Sequence, residues 1–428
     1  SQMVSVVGRR RVGKTTLILK AFEEEKKAIP VFYFFVERQV VAEELIQSWV
    51  SQICQAYEIS FRPAVSSLSD VIRFLMSVSR NRECVCILDE CQEIDAIDSH
   101  FWTQLQKIWD LNKSESKVLL VMSGSILSAM ARIFEDPGEP LYGRLSCLIR
   151  LKAFTPSVVK KIVLTENKEA TARDLLFLYA LTGGVAEHLT LLSESDSLSE
   201  RQALDYLFSL SGTWLRFEGE LYLANEFRVQ APLYTAILRA VSSGATKWNE
   251  IESRIPQASQ LSPYMARLLR FGIIEKTQPL FQAEKANSRK TTRYVIADPY
   301  FRFYLTFIAP AEVRSMTESG NWRAAKAFCS QRLDTFLGRV LEQWFRARYA
   351  ESHEWNCVGR WWDKKGENEI DLVAVNSEKQ SLEVAEVKLN PEKYSQSKLE
   401  SKVQVFLAAN PRLEGFKVKS RLLSLRDM

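Results

Sequence analysis

Gly8-Arg9-Arg10-Arg11-Val12-Gly13-Lys14-Thr15 decides the reading of this chain. It has the spacing G-x-x-x-x-G-K-[ST], with an apolar β-rich run (Met3–Val7) before it and a helical stretch from about Lys14 after it. The two glycines let the backbone curl until successive N–H groups and the first turn of the helix face one point, which is a cradle for phosphate. Lys14 is expected to neutralise the β- and γ-phosphates, and the Thr15 hydroxyl to bind Mg2+. The expected ligand is a nucleoside triphosphate, ATP, held by Gly8, Arg9, Arg10, Arg11, Val12, Gly13, Lys14, Thr15 and Thr16.

A second motif belongs with the first. Cys84-Val85-Cys86-Ile87-Leu88-Asp89-Glu90 is an apolar strand ending in two acids. Asp89 would hold Mg2+, directly or through water, and Glu90 would orient and deprotonate the attacking water. An acid pair at a strand end is weak evidence alone, since it also reads as solvated surface. Beside a phosphate loop it is strong.

Around these motifs the chain alternates apolar runs with helical stretches. Val31–Val36, Lys117–Met122 and Leu148–Leu151 read as further strands, and Ala42–Tyr57, Val71–Val78 and Phe101–Leu111 as helices. Continuous Val/Ile/Leu runs separated by helices indicate a parallel sheet covered on both faces. From about Ser157 to Leu223 the pattern is helical, broken at Gly183-Gly184, and reads as a lid. Residues from Pro232 to Ala309 give three helices and then two strands, Ile273–Lys276 and Thr291–Ile296, which is a winged-helix order. Arg267, Arg270, Lys285, Arg289, Lys290 and Arg293 could there contact DNA phosphates, or the element could pack between domains. The last segment opens with two helices, Trp322–Cys329 and Leu333–Arg348, and continues with strands Trp355–Trp361, Ile370–Val375 and Leu382–Lys388 and a helix, Ser395–Ala409. The expected fold is multidomain α/β: a P-loop core over 1–156, a helical lid over 157–228, a winged helix over 229–310 and an α/β module over 311–428.

Composition narrows the rest. The 428 residues carry a formal charge of +5, too small for this length to argue for nucleic acid by itself. The seven cysteines form no Cys-x-x-Cys pair and the three histidines are far apart, so neither a zinc site nor a disulfide framework is expected. No apolar run reaches the roughly 20 residues that span a bilayer, and no basic leader with an apolar core opens the chain. A cytoplasmic protein without a membrane partner is expected.

Gly8–Thr16, Leu88-Asp89-Glu90, Ser123-Gly124-Ser125, Leu141-Tyr142-Gly143-Arg144 and Thr182-Gly183-Gly184 resemble the prokaryotic, notably archaeal, AAA+/STAND-like ATPases over about the first half of the chain. The resemblance implies that Ser125 is a polar sensor near the γ-phosphate; its other reading is a helix N-cap. It also implies that Arg144 reaches a phosphate, in cis or from a neighbouring subunit, with self-association through the core; its other reading is a surface ion pair. Two departures stand out. Val185-Ala186 follows the glycine pair where the family usually has a proline. The segment that holds adenine before the first strand is missing, so the chain is truncated there or recognises the base more weakly.

Near the other end, Glu369-Ile370-Asp371 and Glu386-Val387-Lys388 lie on strands able to pair as a hairpin, which brings Asp371 near Glu386. Alternation places Glu386 and Lys388 on one face, and Glu342 on the preceding helix could complete the cluster. Two carboxylates that bind Mg2+ beside a lysine that positions water are a phosphodiesterase arrangement; the plain reading is a charged hairpin. The run Gly359-Arg360-Trp361-Trp362…Glu369-Ile370-Asp371…Glu386-Val387-Lys388 resembles the restriction-endonuclease-like PD-(D/E)xK domain fused to such ATPases. The resemblance implies metal binding by Asp371 and Glu386 and cleavage of DNA. Two functions are therefore carried forward: an ATP-hydrolysing switch acting on nucleic acid with a Mg2+-dependent nuclease-like end, and an ATP-gated regulatory or assembly protein whose last two modules only bind.

Overall fold

The computed structural model describes residues 1–37, 41–61, 63–255, 260–281 and 291–428, and the chain folds into two compact units, Ser1–Lys152 and Ala153–Met428.

The first unit is built on five parallel strands: β1 (Gln2–Val7), β2 (Val31–Phe35), β3 (Cys84–Asp89), β4 (Val118–Gly124) and β5 (Cys147–Arg150), in the order β2-β3-β4-β1-β5. Helices α1 (Lys14–Ala21), α2 (Ala42–Ala56), α3 (Leu68–Val78), α4 (Ile94–Ile97), α5 (Phe101–Asn112) and α6 (Leu127–Glu135) connect them. The reason for the continuous apolar runs is visible on β3, where every residue is buried. Cys84, Cys86 and Leu88 enter one core with Trp49, Leu75 and Leu105, whereas Val85 and Ile87 enter the other with Val6, Ile18 and Val121. Period-two alternation thus feeds two apolar layers, and each fully buried Leu or Ile side chain contributes roughly 1.5–3 kcal/mol. Trp49 on α2 stacks flat on Phe34 of β2 with centroids 4.6 Å apart, which fixes that helix against the sheet. One consequence matters for the site: β4 lies between β1 and β3, so the end of β4 sits between the loop after β1 and the acids after β3.

The second unit contains everything expected as lid, winged helix and C-terminal module. Its helices are α7 (Pro156–Glu166), α8 (Ala172–Thr182), α9 (Ala186–Glu194), α10 (Glu200–Leu207), α11 (Thr213–Phe227), α12 (Ala231–Ser242), α13 (Trp248–Ser253) and α14 (Ser262–Arg270). A two-stranded antiparallel hairpin follows, β6 (Ile274–Thr277) with β7 (Arg293–Ile296), and then α15 (Pro299–Phe307), α16 (Ala311–Glu318) and α17 (Trp322–Glu351). The last elements are β8 (Cys357–Trp362), β9 (Glu369–Asn376), β10 (Ser381–Val387), α18 (Gln396–Ala409) and β11 (Lys417–Leu423), the strands forming a sheet in the order β11-β10-β9-β8. One apolar core joins these parts, running from Val159 through Leu176, Tyr300 and Trp344 to Leu372 and Val387 on one face of that sheet. The other face packs Trp361, Val373 and Val384 against Leu399 and Phe406 of α18.

Gly183 and Gly184 end α8 with φ of 61° and 72°. A Cβ on Gly184 would lie 2.2 Å from the Phe154 carbonyl oxygen, so the break at this point requires glycine twice over. The expected break near Ser330 does not exist: α17 is one helix of 30 residues. No Gly or Pro interrupts residues 330–332, and burial continues at helical spacing through Ala325, Cys329, Leu333, Phe336, Val340 and Trp344. No helix among the described residues is long and apolar enough to cross a membrane.

Candidate functional site

The loop after β1 is shaped by close approaches. Gly8 lies against the backbone of Leu151, where a Cβ would come within 2.6 Å of the carbonyl oxygen. Arg11 and Gly13 take left-handed φ values of 71° and 96°, and Gly13 caps α1. Lys14 turns back into this curl. Its ammonium donates to the carbonyl oxygens of Gly8 at 3.0 Å and Arg9 at 3.2 Å. Burial pulls its pKa below the ordinary lysine value, against the opposing pull of Glu90 and Asp89. A buried ammonium turned onto carbonyls, at the mouth of a helix N-terminus, is a donor ready to exchange those partners for phosphate oxygens. Arg9 and Val12 are buried beside it, whereas Arg10 and Thr16 are exposed.

Asp89, at the end of β3, is 2% exposed and receives three hydroxyls. Thr15 Oγ1 donates to its Oδ2 at 2.8 Å, Tyr33 OH donates to the same oxygen at 2.7 Å, and Ser123 Oγ donates to Oδ1. The Tyr33 phenol is pushed up by burial and further by Asp89. The Thr15 hydroxyl and the Asp89 carboxylate therefore already share one hydrogen bond. This pair of hard oxygen ligands fits a Mg2+ ion, toward which the hydroxyl would turn its oxygen while keeping its proton.

Glu90 adopts a left-handed φ of 53° as the chain leaves β3. Its Oε2 accepts from Ser125 Oγ at 2.8 Å, from Ser125 N at 3.3 Å and from Gln92 Nε2 at 2.5 Å. The sheet order brings this about: β4 ends beside β3, so Ser123 meets Asp89 and Ser125 meets Glu90. Gly124 between them admits nothing larger, since a Cβ there would stand 2.2 Å from Gln92 Oε1 and 2.3 Å from Met130 Sδ. Tyr33, Ser123 and Gln92 were not singled out as site residues from sequence. Tyr33 lies two residues before Phe35, which is registered with Asp89, and so on the same strand face; that register comes from strand pairing and not from any local sequence signal.

Arg144 is placed differently. Its guanidinium grips Asp110, with Nη2 to Oδ2 at 2.8 Å and Nε to the same oxygen at 3.1 Å, while Nη1 donates to the Pro140 carbonyl at 2.8 Å. That hydrogen bonding holds the Asp110 carboxyl below the ordinary carboxylate value. The pair is the surface contact that was the second reading of this residue.

In the second unit, β9 and β10 pair antiparallel with Leu372 opposite Ala385, so Asp371 and Glu386 face each other across the strands. Both carboxylates converge on Lys388: Nζ lies 3.4 Å from Asp371 Oδ2 and 2.8 Å from Glu386 Oε1. Lys402 of α18 also contacts Glu386 at 3.0 Å, and Val387 N donates to Asp371 Oδ2 at 2.9 Å. Burial raises the Asp371 carboxyl against the pull of Lys388. Glu386 ends lower than usual, because hydrogen bonds from Lys388 and Lys402 outweigh its burial. Glu342 on α17 is raised by burial and then by Asp371, and it lies 3.7 Å from Arg346 and 3.8 Å from Arg360. Among the described residues no three His, Cys, Asp or Glu side chains are grouped to hold a metal ion. The donors at this point are two carboxylates, and their charge is met by two lysines.

Arg293, expected at a DNA phosphate, is tied to Glu369 at 3.0 Å and lies over the Trp362 ring. Arg267 and Arg270 are exposed on α14, opposite Met265 and Leu268. Lys285, Arg289 and Lys290 lie outside the described residues.

Residues 1–147 match a family model described as an AAA domain, and residues 304–400 match one described as archaeal and bacterial proteins of unknown function. An uncharacterized protein of Methanocaldococcus jannaschii is 26% identical over 397 residues, covering 90% of this chain and 82% of its own length. Among solved structures, the Walker-type ATPase of Pyrococcus abyssi is similar with a TM-score of 0.50 at 22% identity, over 71% of this chain and 90% of that one. The ORC2 protein of Aeropyrum pernix gives a TM-score of 0.46 at 15% identity, over 76% of this chain and 89% of that one. The AAA match covers the residues that build the phosphate loop, the acid pair and four of the five strands, so the first unit carries a P-loop ATPase domain similar to the AAA model.

Proposed function

We propose that ATP turnover in the first unit drives a switch acting on nucleic acid, DNA in the first instance, and that the second unit carries a Mg2+-dependent phosphodiesterase site. Within the ATPase, Lys14 neutralises the phosphates, Thr15 and Asp89 hold Mg2+, and Glu90, set by Ser125 and Gln92, takes the proton of the attacking water. Mg2+ held by Thr15 and Asp89 would supply positive charge against the charge that develops on the phosphate. Arg144 leaves Asp110 to reach a phosphate, in cis or on a neighbouring subunit.

The observation that carries the nuclease reading is the convergence of Asp371 and Glu386 on Lys388. Two facing carboxylates with a lysine on the pleat face of one of them is the donor set that phosphodiester cleavage needs. In this reading Asp371 and Glu386 hold the ion, Lys388 acts on the water and the scissile phosphate, and Glu342 supports the cluster from α17. The order α12, α13, α14, β6, β7 supports a winged helix, which presents Arg267 and Arg270.

A second reading is favoured by specific contacts. Lys388 and Lys402 already satisfy the acid pair, and Arg293 packs into its own unit, so the terminal module and the winged helix would bind or pack without cutting. Plasmid cleavage by the purified chain with Mg2+ or Mn2+, beside an Asp371→Ala control, separates the two.

A further inference from the structure

A pocket of about 630 Å³ opens between the end of α12, the β6–β7 hairpin and α17. Six arginines line it, Arg293, Arg302, Arg332, Arg339, Arg346 and Arg360, against two carboxylates, Glu275 and Glu342. The α17 contribution is a single stripe: Arg332, Arg339, Glu342 and Arg346 recur at helical spacing on the face turned to the hairpin.

The charges do not balance. Glu342 is shared between Arg346 and Arg360, and Glu369, behind the pocket wall, is shared between Arg360 at 2.6 Å and Arg293 at 3.0 Å. Arg302 donates to the Ile296 carbonyl and has no carboxylate hydrogen-bond partner among the described residues. Burial, with Arg346 next to it, lowers its pKa to about 10. Arg339 is exposed and makes no hydrogen bond among the described residues, and Arg360 keeps a buried Nε without a partner there. Buried cations are ordinarily paired, so an excess around one concavity points to an anion that completes it. Guanidinium forks match the oxygens of phosphate, and Val241, Ile296 and Phe336 add an apolar wall on which a base or sugar can rest. The volume lies in the range of small-ligand sites, roughly 300–1,000 Å³.

We infer that this pocket is a second phosphate site of the chain, separate from the loop at Gly8–Thr15, and takes a phosphate-bearing ligand: a free nucleotide or the terminal phosphate of a nucleic-acid strand. It shares Glu342 with the proposed nuclease cluster, but neither the arginine surplus nor the cavity depends on a metal at Asp371 and Glu386, so it does not rest on that reading.

Calorimetry on the full chain tests it with two probes, inorganic pyrophosphate and a short 5′-phosphorylated single strand. Three proteins are compared: wild type, Lys14→Ala, and Lys14→Ala combined with Arg332→Ala and Arg339→Ala. Both arginines are exposed, so their removal leaves the core intact, and a matching melting temperature verifies this. The Lys14→Ala protein is expected to bind at least one probe, with affinity lost by about tenfold or more when the two arginines are removed. Pyrophosphate binding that depends on the arginines identifies a free ligand, and strand binding that does so identifies nucleic acid. Failure of Lys14→Ala to bind either probe, or equal binding with and without the arginines, overturns the inference.

Discussion

Ser125 and Glu90 are joined twice: the serine donates to Glu90 Oε2 from Oγ at 2.8 Å and from its backbone N at 3.3 Å. Residues 35 apart in sequence meet because β4 ends beside β3. The serine thereby fixes where the carboxylate points, while Gly124 leaves room for Gln92 and Met130, whose Oε1 and Sδ a Cβ there would meet at 2.2 and 2.3 Å.

Removing the base and removing its support should differ in degree. Glu90→Gln keeps the shape and should lower ATP turnover by about 10²–10⁴-fold with ATP affinity unchanged. Ser125→Ala leaves the Gln92 and backbone N–H contacts in place, so turnover should fall less. Steady-state hydrolysis beside calorimetric ATP binding checks both. Wild-type turnover in Glu90→Gln would assign the water to another residue.

Arg144 gives the sharpest contrast between the proposed role and the observed contact. If it acts on a neighbouring subunit's phosphate, Arg144→Ala should cut turnover by on the order of 10³–10⁵-fold, the range of arginine fingers in GTPases, while ATP still binds. Mixing Arg144→Ala with Lys14→Ala should then restore part of the rate. Full activity of Arg144→Ala leaves only the ion pair with Asp110.

Asp371 should weaken the fold at neutral pH. The residue is 8% exposed and its carboxyl is held above the unfolded value of 3.8, chiefly by burial, with Glu386 adding to the shift and Lys388, the Val387 N–H and Arg360 opposing it. The folded state therefore keeps the proton to higher pH than the unfolded chain does. Stability from this group is greatest below 3.8 and falls as pH rises through the folded value. Asp371→Asn stays neutral and can still accept from Val387 N. Its melting temperature should exceed that of wild type at pH 7, and the gap should close as pH falls toward the ordinary carboxylate range. A lower melting temperature at pH 7 would mean that the Lys388 contact outweighs burial.

The site was legible in sequence where it is local. Gly8–Thr15 and Cys84–Glu90 each carry their meaning in consecutive residues, because a loop and a strand end position them. The hydroxyls of Tyr33 and Ser123 were not legible as ligands of Asp89, since their approach depends on strand order, which no local pattern encodes. Helix α17 reads from sequence as two helices, Trp322–Cys329 and Leu333–Arg348, although no residue between them opposes helix. The lid, winged helix and last module each read as a separate piece from local patterning. Their common core, in which Trp344 packs on Tyr179, is formed by contacts distant in sequence.

The most direct measurement is plasmid nicking and ATP turnover read in the same samples, with Mg2+ or Mn2+, for wild type, Asp371→Asn, Lys388→Ala and Lys14→Ala. The account predicts metal-dependent cleavage by wild type. Cleavage is lost in Asp371→Asn and strongly slowed in Lys388→Ala, with ATP turnover preserved in both, and turnover is lost in Lys14→Ala. Absence of metal-dependent cleavage by wild type, or equal cleavage by Asp371→Asn, would contradict it.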